Sequence, residues 1–176
     1  GFLMIRWCAI GDSFTYLNDH PDETNHYVTK GYLSRTLDSL RAHGLDAELT
    51  NIGINGSTTR DWLTAPLVPA DFYTILLGTN DWHSGIPLGT EEDFSAARPG
   101  TILGNLSHLI SRIRALSPEA KLLVMNPIER TDFVYLFDPF NNAPGSYAPE
   151  HGQKLSDVAE AIYVTCARHK IPALDL

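Results

Sequence analysis

Two cysteines, Cys8 and Cys166, are too few for a disulfide framework. Both fall in apolar segments of different expected core elements, so they read as buried free thiols, with a disulfide between them as the alternative. Basic residues are also scarce: 13 Lys and Arg stand against 21 Asp and Glu, for a formal charge of -8, and they form no stripe. Phosphate binding needs concentrated cationic side chains, so nucleic acid is not expected as a partner. No window reaches the about 18 to 20 consecutive apolar residues of a membrane span. The opening GFLMIR lacks the basic start and apolar run of a secretion signal, and Met4 reads as a candidate natural start. A cytoplasmic placement is the expectation, although a signal already removed leaves no trace. There is no Gly-rich phosphate loop ending in Lys-Ser or Lys-Thr, and no HxH, HExxH or calcium-loop spacing, so neither cofactor nor metal is expected. Internal repeats and low-complexity segments are absent as well.

What remains is a chain rich in apolar residues, 43% of the total, with 10% aromatic. A chain of 176 residues can bury roughly 70% of the surface it exposes unfolded, which suits one core and a single domain over residues 1–176. Short apolar runs bounded by glycine or polar turns read as strands at Ile5–Ile10, Ala47–Ile54, Phe72–Leu77, Lys121–Met125 and Ile171–Leu176. Between them lie helical periodicities. Leu33, Leu37 and Leu40 mark a helix over Thr29–His43, and Ile102, Leu106, Leu109, Ile113 and Leu116 mark a long one ended by Pro118. Leu155, Val158, Ile162 and Cys166 mark the last, over Pro149–His169. Asn18–Asn25, Asp81–Gly100 and Thr131–Pro149 read as irregular. Strands alternating with helices imply parallel crossovers, hence a three-layer α/β/α domain with a parallel sheet of about five strands.

In such a sheet, chemistry collects at the carboxyl ends of the strands. That rule gathers Gly11-Asp12-Ser13, Asn55-Gly56-Ser57, Gly78-Thr79-Asn80-Asp81 and Asn126-Pro127 on one rim. Acyl transfer needs a hydroxyl, a base, and donors aimed at the developing oxyanion. Ser13 can supply the hydroxyl and its own backbone N–H, Gly56 a second backbone N–H with no side chain to obstruct a substrate, and Asn80 a side-chain amide.

These residues carry a resemblance. GDSFT around Ser13, NIGINGST around Gly56 and GTND around Asn80 resemble, in order and spacing, three blocks of the SGNH hydrolases, or GDSL-type esterases and lipases. The resemblance implies a flavodoxin-like sheet and hydrolysis of a carboxylic ester through an acyl-serine, on substrates such as lipids, acetylated sugars or small acyl esters. It also implies roles for Ser13 as nucleophile and for Ser13, Gly56 and Asn80 as oxyanion donors. The family's further Asp-x-x-His block, source of the base, has no match. Asp175 falls inside the expected fifth strand with no histidine behind it, so the expectation is a domain lacking its C-terminal block and last helix, with a reading frame that continues past Leu176.

His83 and His151, both placed at the rim, are the alternative bases within these residues, each more simply a wall or solvated histidine. Asp12 is expected to tie down its own turn, and Asp81 to hold the Asn80 loop through backbone N–H groups. A bolder alternative makes Asp12, Asp81 and His83 ligands of a divalent ion in a metal-dependent hydrolase. Another makes the pocket a non-catalytic acyl- or glycan-binding module. Tyr16 and Trp82 are expected as pocket walls and Trp62 as packing against the sheet. Phe133, Tyr135, Phe137, Phe140 and Tyr147 either line a cleft or pack over helices. The partner expected is a small ester; oligomeric state is not legible.

Overall fold

In the computed structural model, residues 4–20, 31–127 and 154–176 are described. Five strands, β1 (Met4–Gly11), β2 (Asp46–Asn51), β3 (Phe72–Leu76), β4 (Lys121–Met125) and β5 (Ala173–Leu174), form one sheet in the order β2-β1-β3-β4-β5. Every pairing is parallel. This is the flavodoxin-like order, in which the chain moves outward from β1 to one side and then returns to build β3, β4 and β5 on the other.

Side-chain alternation divides the sheet between two layers. Cys8 and Ile10 of β1 lie level with Tyr73 and Ile75 of β3, and these with Leu122 and Val124 of β4. Against this face pack α5 (Ile102–Leu116) and α6 (Leu155–Arg168), together with Trp62, and all of these groups are buried. The opposite face presents Trp7 and Ala9 to Leu33 of α2 (Tyr32–Ala42). Trp7 donates its indole N–H to the Thr74 hydroxyl at 3.0 Å, so the buried ring leaves no polar atom unsatisfied. One helix on one face and two on the other make the three layers.

α5 has the boundaries its apolar spacing predicts. Thr101 caps it by accepting from the Gly104 N–H at 3.1 Å. The burial of Cys8 and Cys166, both free, pushes each thiol up to about 12. Other boundaries move. The expected β2 reached Ile54, whereas the strand ends at Asn51, although Ile52 and Ile54 still donate to the carbonyls of Ala9 and Gly11 at 3.0 Å. β5 is also shorter than expected. The Leu176 N–H turns to the Asn126 side chain at 2.7 Å instead of continuing the ladder, so Asp175 lies just past the strand.

The stretch Asp81–Gly100 is not irregular throughout. α3 (Thr79–His83) opens it, and α4 (Glu91–Ser95) follows, started by a reciprocal capping box between Thr90 and Asp93. Glu91 then ties α4 to the end of α6 through Arg168 at 3.2 Å. Residues Thr29–Lys30 and Pro149–Gln153 of the expected helices, and the aromatic stretch Phe133–Tyr147, lie outside the described residues.

Ile75 is fully buried, level with Ile10 on one side and Val124 on the other. Replacing it by alanine leaves a void no neighbour can fill without moving the sheet. We expect Ile75→Ala to cost about 3 kcal/mol, read as a lower urea midpoint with an unchanged slope. An unaltered midpoint would contradict this packing.

Candidate active site

Strand register builds the rim. Gly11, Leu76, Met125 and Leu174 lie level across β1, β3, β4 and β5, so the residues that follow each strand emerge together. β1 and β3 are the pair between which the chain reverses direction across the sheet, and their loops bound the crevice where α/β ligands collect.

Beyond β1 the chain turns at once into α1 (Ser13–Tyr16), a single helical turn that the short GDSFT stretch does not reveal by periodicity. Asp12 is its N-cap and accepts from the Phe14 N–H at 3.2 Å, the role expected of it. Ser13 is the first helical residue, half-buried, and an N–H in a helix's first turn has no acceptor within the helix. Behind it Thr15 is fastened twice. Its hydroxyl meets the Tyr32 hydroxyl at 2.7 Å, and its carbonyl accepts from Asn51 at 2.7 Å. Burial pushes the Tyr32 phenol up to about 12, so this contact stays neutral across the working pH range. Gly53 passes so close that a Cβ there would stand 2.8 Å from the Tyr16 backbone nitrogen.

After β2 a turn closed by the Ser57 N–H on the Ile54 carbonyl, 3.1 Å, holds Gly56 at φ +75°. That conformation disfavours any side chain, and a Cβ would otherwise meet nothing within 4 Å, so the glycine answers to the backbone and leaves open space above it. Among the described residues no hydrogen bond engages the Gly56 N–H. Beyond β3, Asn80 gives one amide N–H to the Ser57 carbonyl at 3.0 Å, which fixes the amide plane and leaves its second N–H unengaged among the described residues.

Asp81 departs from expectation. Its carboxylate is fully buried and reaches across to the second loop, where it accepts from the Thr59 N–H at 3.0 and 3.1 Å and from the Thr59 hydroxyl at 2.5 Å. Asn105, fully buried on the apolar face of α5, donates to the same hydroxyl at 3.1 Å. Arg112 fixes the loop further along, donating to the carbonyls of Trp62 and Ala65 at 2.6 and 2.7 Å. The Thr59 contact was not legible from the motifs. Its signal was Asn105, a polar residue inside an apolar helical stripe.

The other candidates are dispersed. Trp82 is core, not a pocket wall, because α3 turns its ring inward among the buried side chains. Trp62 packs in the core as expected, and Tyr16 stacks on His20 with ring centroids 4.0 Å apart. His83 ends α3 with its ring 4.9 Å from that of Trp82. Among the described residues no hydrogen bond joins Ser13 to an imidazole, and His151 lies outside them. Nor is any group of three or more His, Cys, Asp or Glu placed to hold a metal ion among the described residues, so Asp12, Asp81 and His83 do not assemble a ligand set. Asp175 accepts from the Asn126 amide at 2.6 Å, beside a cleft of 480 Å³ between α6 and the ends of β4 and β5.

Desolvation pushes the Asp81 carboxyl up to about 6, against the lowering effect of the Thr59 hydrogen bonds. The folded chain therefore holds this proton to higher pH than the unfolded chain does. The stability it contributes is complete below about pH 4 and is lost as pH rises through about 6, on the order of 3 kcal/mol in all. The urea midpoint of Asp81→Asn should show a smaller fall than wild type between pH 4 and 6.5; parallel profiles would contradict the assignment.

The model of the GDSL-like lipase/acylhydrolase family matches residues 9–176. Among solved structures, a possible lipase from Chitinophaga pinensis is 42% identical, with a TM-score of 0.86, and the match covers 98% of this chain and 67% of that one. A protein from Lactobacillus plantarum, 23% identical over 99% of this chain and 78% of its own, has a TM-score of 0.67. AlinE4, an SGNH-hydrolase family esterase, is 18% identical over 99% and 77%, with a TM-score of 0.58. The last two show likeness of fold alone. A comparison with curated proteins finds no match.

Proposed function

Because this chain belongs to the GDSL-like lipase/acylhydrolase family, we propose that it is a serine esterase that cleaves a carboxylic ester through an acyl-serine intermediate. One observation carries the reading. Asn80 is held by one N–H on the carbonyl of Ser57, the residue after Gly56, at 3.0 Å, and among the described residues its other N–H and the Gly56 N–H are both unengaged. Donors fixed in advance and left without a partner are what a developing oxyanion requires, since they need not reorganise as charge forms.

On this reading Ser13 attacks the ester carbonyl. The carbonyl oxygen gathers negative charge toward the N–H groups of Ser13 and Gly56 and the Asn80 amide, and collapse of the tetrahedral intermediate expels the alcohol. Water then attacks the acyl-serine through the same geometry in reverse and releases the acid. A general base takes the Ser13 proton as the bond to the acyl carbon forms and returns it to the departing alcohol. No histidine in these 176 residues stands three after an aspartate; His83, at the end of α3, and His151, outside the described residues, are the candidates read from the sequence. The substrate is proposed as a lipid, an acetylated sugar or a small acyl ester.

With protein expressed from its native gene, hydrolysis of p-nitrophenyl acetate and butyrate should collapse in Ser13→Ala. Hydrolysis at the wild-type rate in that variant would exclude the mechanism. Asn80→Ala should lower kcat by about 10² with KM nearly unchanged, because the lost donor acts only where charge develops. Retention of a bound ester or glycan with no turnover would favour the binding module instead.

A further inference from the structure

Ser57 has no part in the motif chemistry, yet each of its polar groups is committed to a different piece of the site. Its N–H closes the turn that sets Gly56 at φ +75°. Its carbonyl receives the Asn80 amide at 3.0 Å. Its hydroxyl donates to the Gly11 carbonyl at 3.2 Å, two residues before Ser13, and accepts the Trp62 indole N–H at 3.1 Å. The residue is 2% exposed, so water does not compete for these bonds. We propose that Ser57 is the positioning residue of the oxyanion hole, holding the nucleophile turn, the Gly56 turn and Asn80 in one frame; the role rests on the acyl-serine reading above.

The chemistry of the hydroxyl explains why a serine stands there. It has one proton to give and lone pairs to receive. The indole N–H can only donate, so it occupies a lone pair and leaves the O–H directed at Gly11. The indole itself cannot wander, because Arg112 grips the Trp62 and Ala65 carbonyls on either side of that turn. Backbone groups of Ser57 make two of the four contacts and survive any substitution. The hydroxyl is the side-chain tie between the Gly56–Ser57 turn and the end of β1, beside the Ile54 N–H that meets the same Gly11 carbonyl at 3.0 Å. Its removal therefore leaves every donor of the hole present but lets the Ser13 turn and the Gly56–Asn80 pair shift against each other, and a misplacement of about 1 Å can cost about 10² in rate.

The test compares Ser57→Ala, Ser57→Thr and Trp62→Phe in protein expressed from its native gene, with p-nitrophenyl acetate as probe and the ¹⁵N-labelled Asn80 side-chain amide followed by NMR. The amide is assigned by its loss in Asn80→Ala. Ser57→Ala should lower kcat by about 10-fold or more with KM within about twofold, and should shift the Asn80 amide resonances. Ser57→Thr restores a hydroxyl and should recover most of the rate. Trp62→Phe keeps a ring but loses the N–H, and should lower kcat by a smaller factor. A Ser57→Ala variant with wild-type kcat, or with Asn80 resonances unmoved, overturns the proposal, as does a rate loss that Ser57→Thr fails to recover while remaining folded. If Ser57→Ala does not fold, the Trp62→Phe rate and amide shift decide the question. Wild-type protein that hydrolyses no ester would sink the acyl-serine reading, whereas the amide shift would still show whether Ser57 positions Asn80.

Discussion

A carboxylate with no exposure to water holds the site loops in place. Asp81 can be buried because Thr59 meets it with an N–H and a hydroxyl, and Asn105 meets that hydroxyl from α5. A buried acceptor of this strength is costly unless fully met, so the Thr59 loop has one place to sit. Asn80 precedes Asp81 and Ser57 precedes Thr59 by two residues. The clamp therefore sets the side-chain amide on one loop against the backbone carbonyl on the other, the contact on which the proposed oxyanion hole depends.

The sheet supplies the other constraint. Parallel strands in register, with Gly11 level with Leu76 and Leu76 with Met125, deliver their following residues to one edge. Only then do short side chains suffice to join them. The Ser57 hydroxyl reaches a β1 carbonyl, and Asn126 reaches Asp175 beyond β5. Tethers of about 3 Å leave little slack, and this rigidity suits electrostatic stabilisation of a transition state, where removal of one donor typically costs roughly 3 kcal/mol.

The core helices and the buried strands were legible because burial imposes their apolar pattern. α5 and β4 fall where their apolar residues predict, and the three motif loops lie at the strand ends to which the alternation of strands and helices assigns them. Helices of four or five residues were not legible. α1 and α3 are too short to show a helical period, and α4 announces itself only through the Thr90–Asp93 capping box. Trp82 read as a pocket wall because it directly follows the Gly78–Asp81 motif, but two helical residues on from Asn80 it points about 200° away, into the core. The partner of Asp81 lies 22 residues back, and no local pattern encodes such a contact. The same holds for the Ser57 contacts to Gly11 and Asn80, which lie 46 and 23 residues away.

The central claim is that Ser13 carries the acyl group during turnover. Rapid acid quench of protein expressed from its native gene, mixed with p-nitrophenyl butyrate, followed by peptide mass spectrometry, tests it directly. The account predicts a butyryl mass increment on the peptide containing Gly11–Tyr16, located to Ser13 by fragmentation and absent from Ser13→Ala. Turnover of the ester with no increment on Ser13, or with the increment on another residue of an active Ser13→Ala protein, would contradict it.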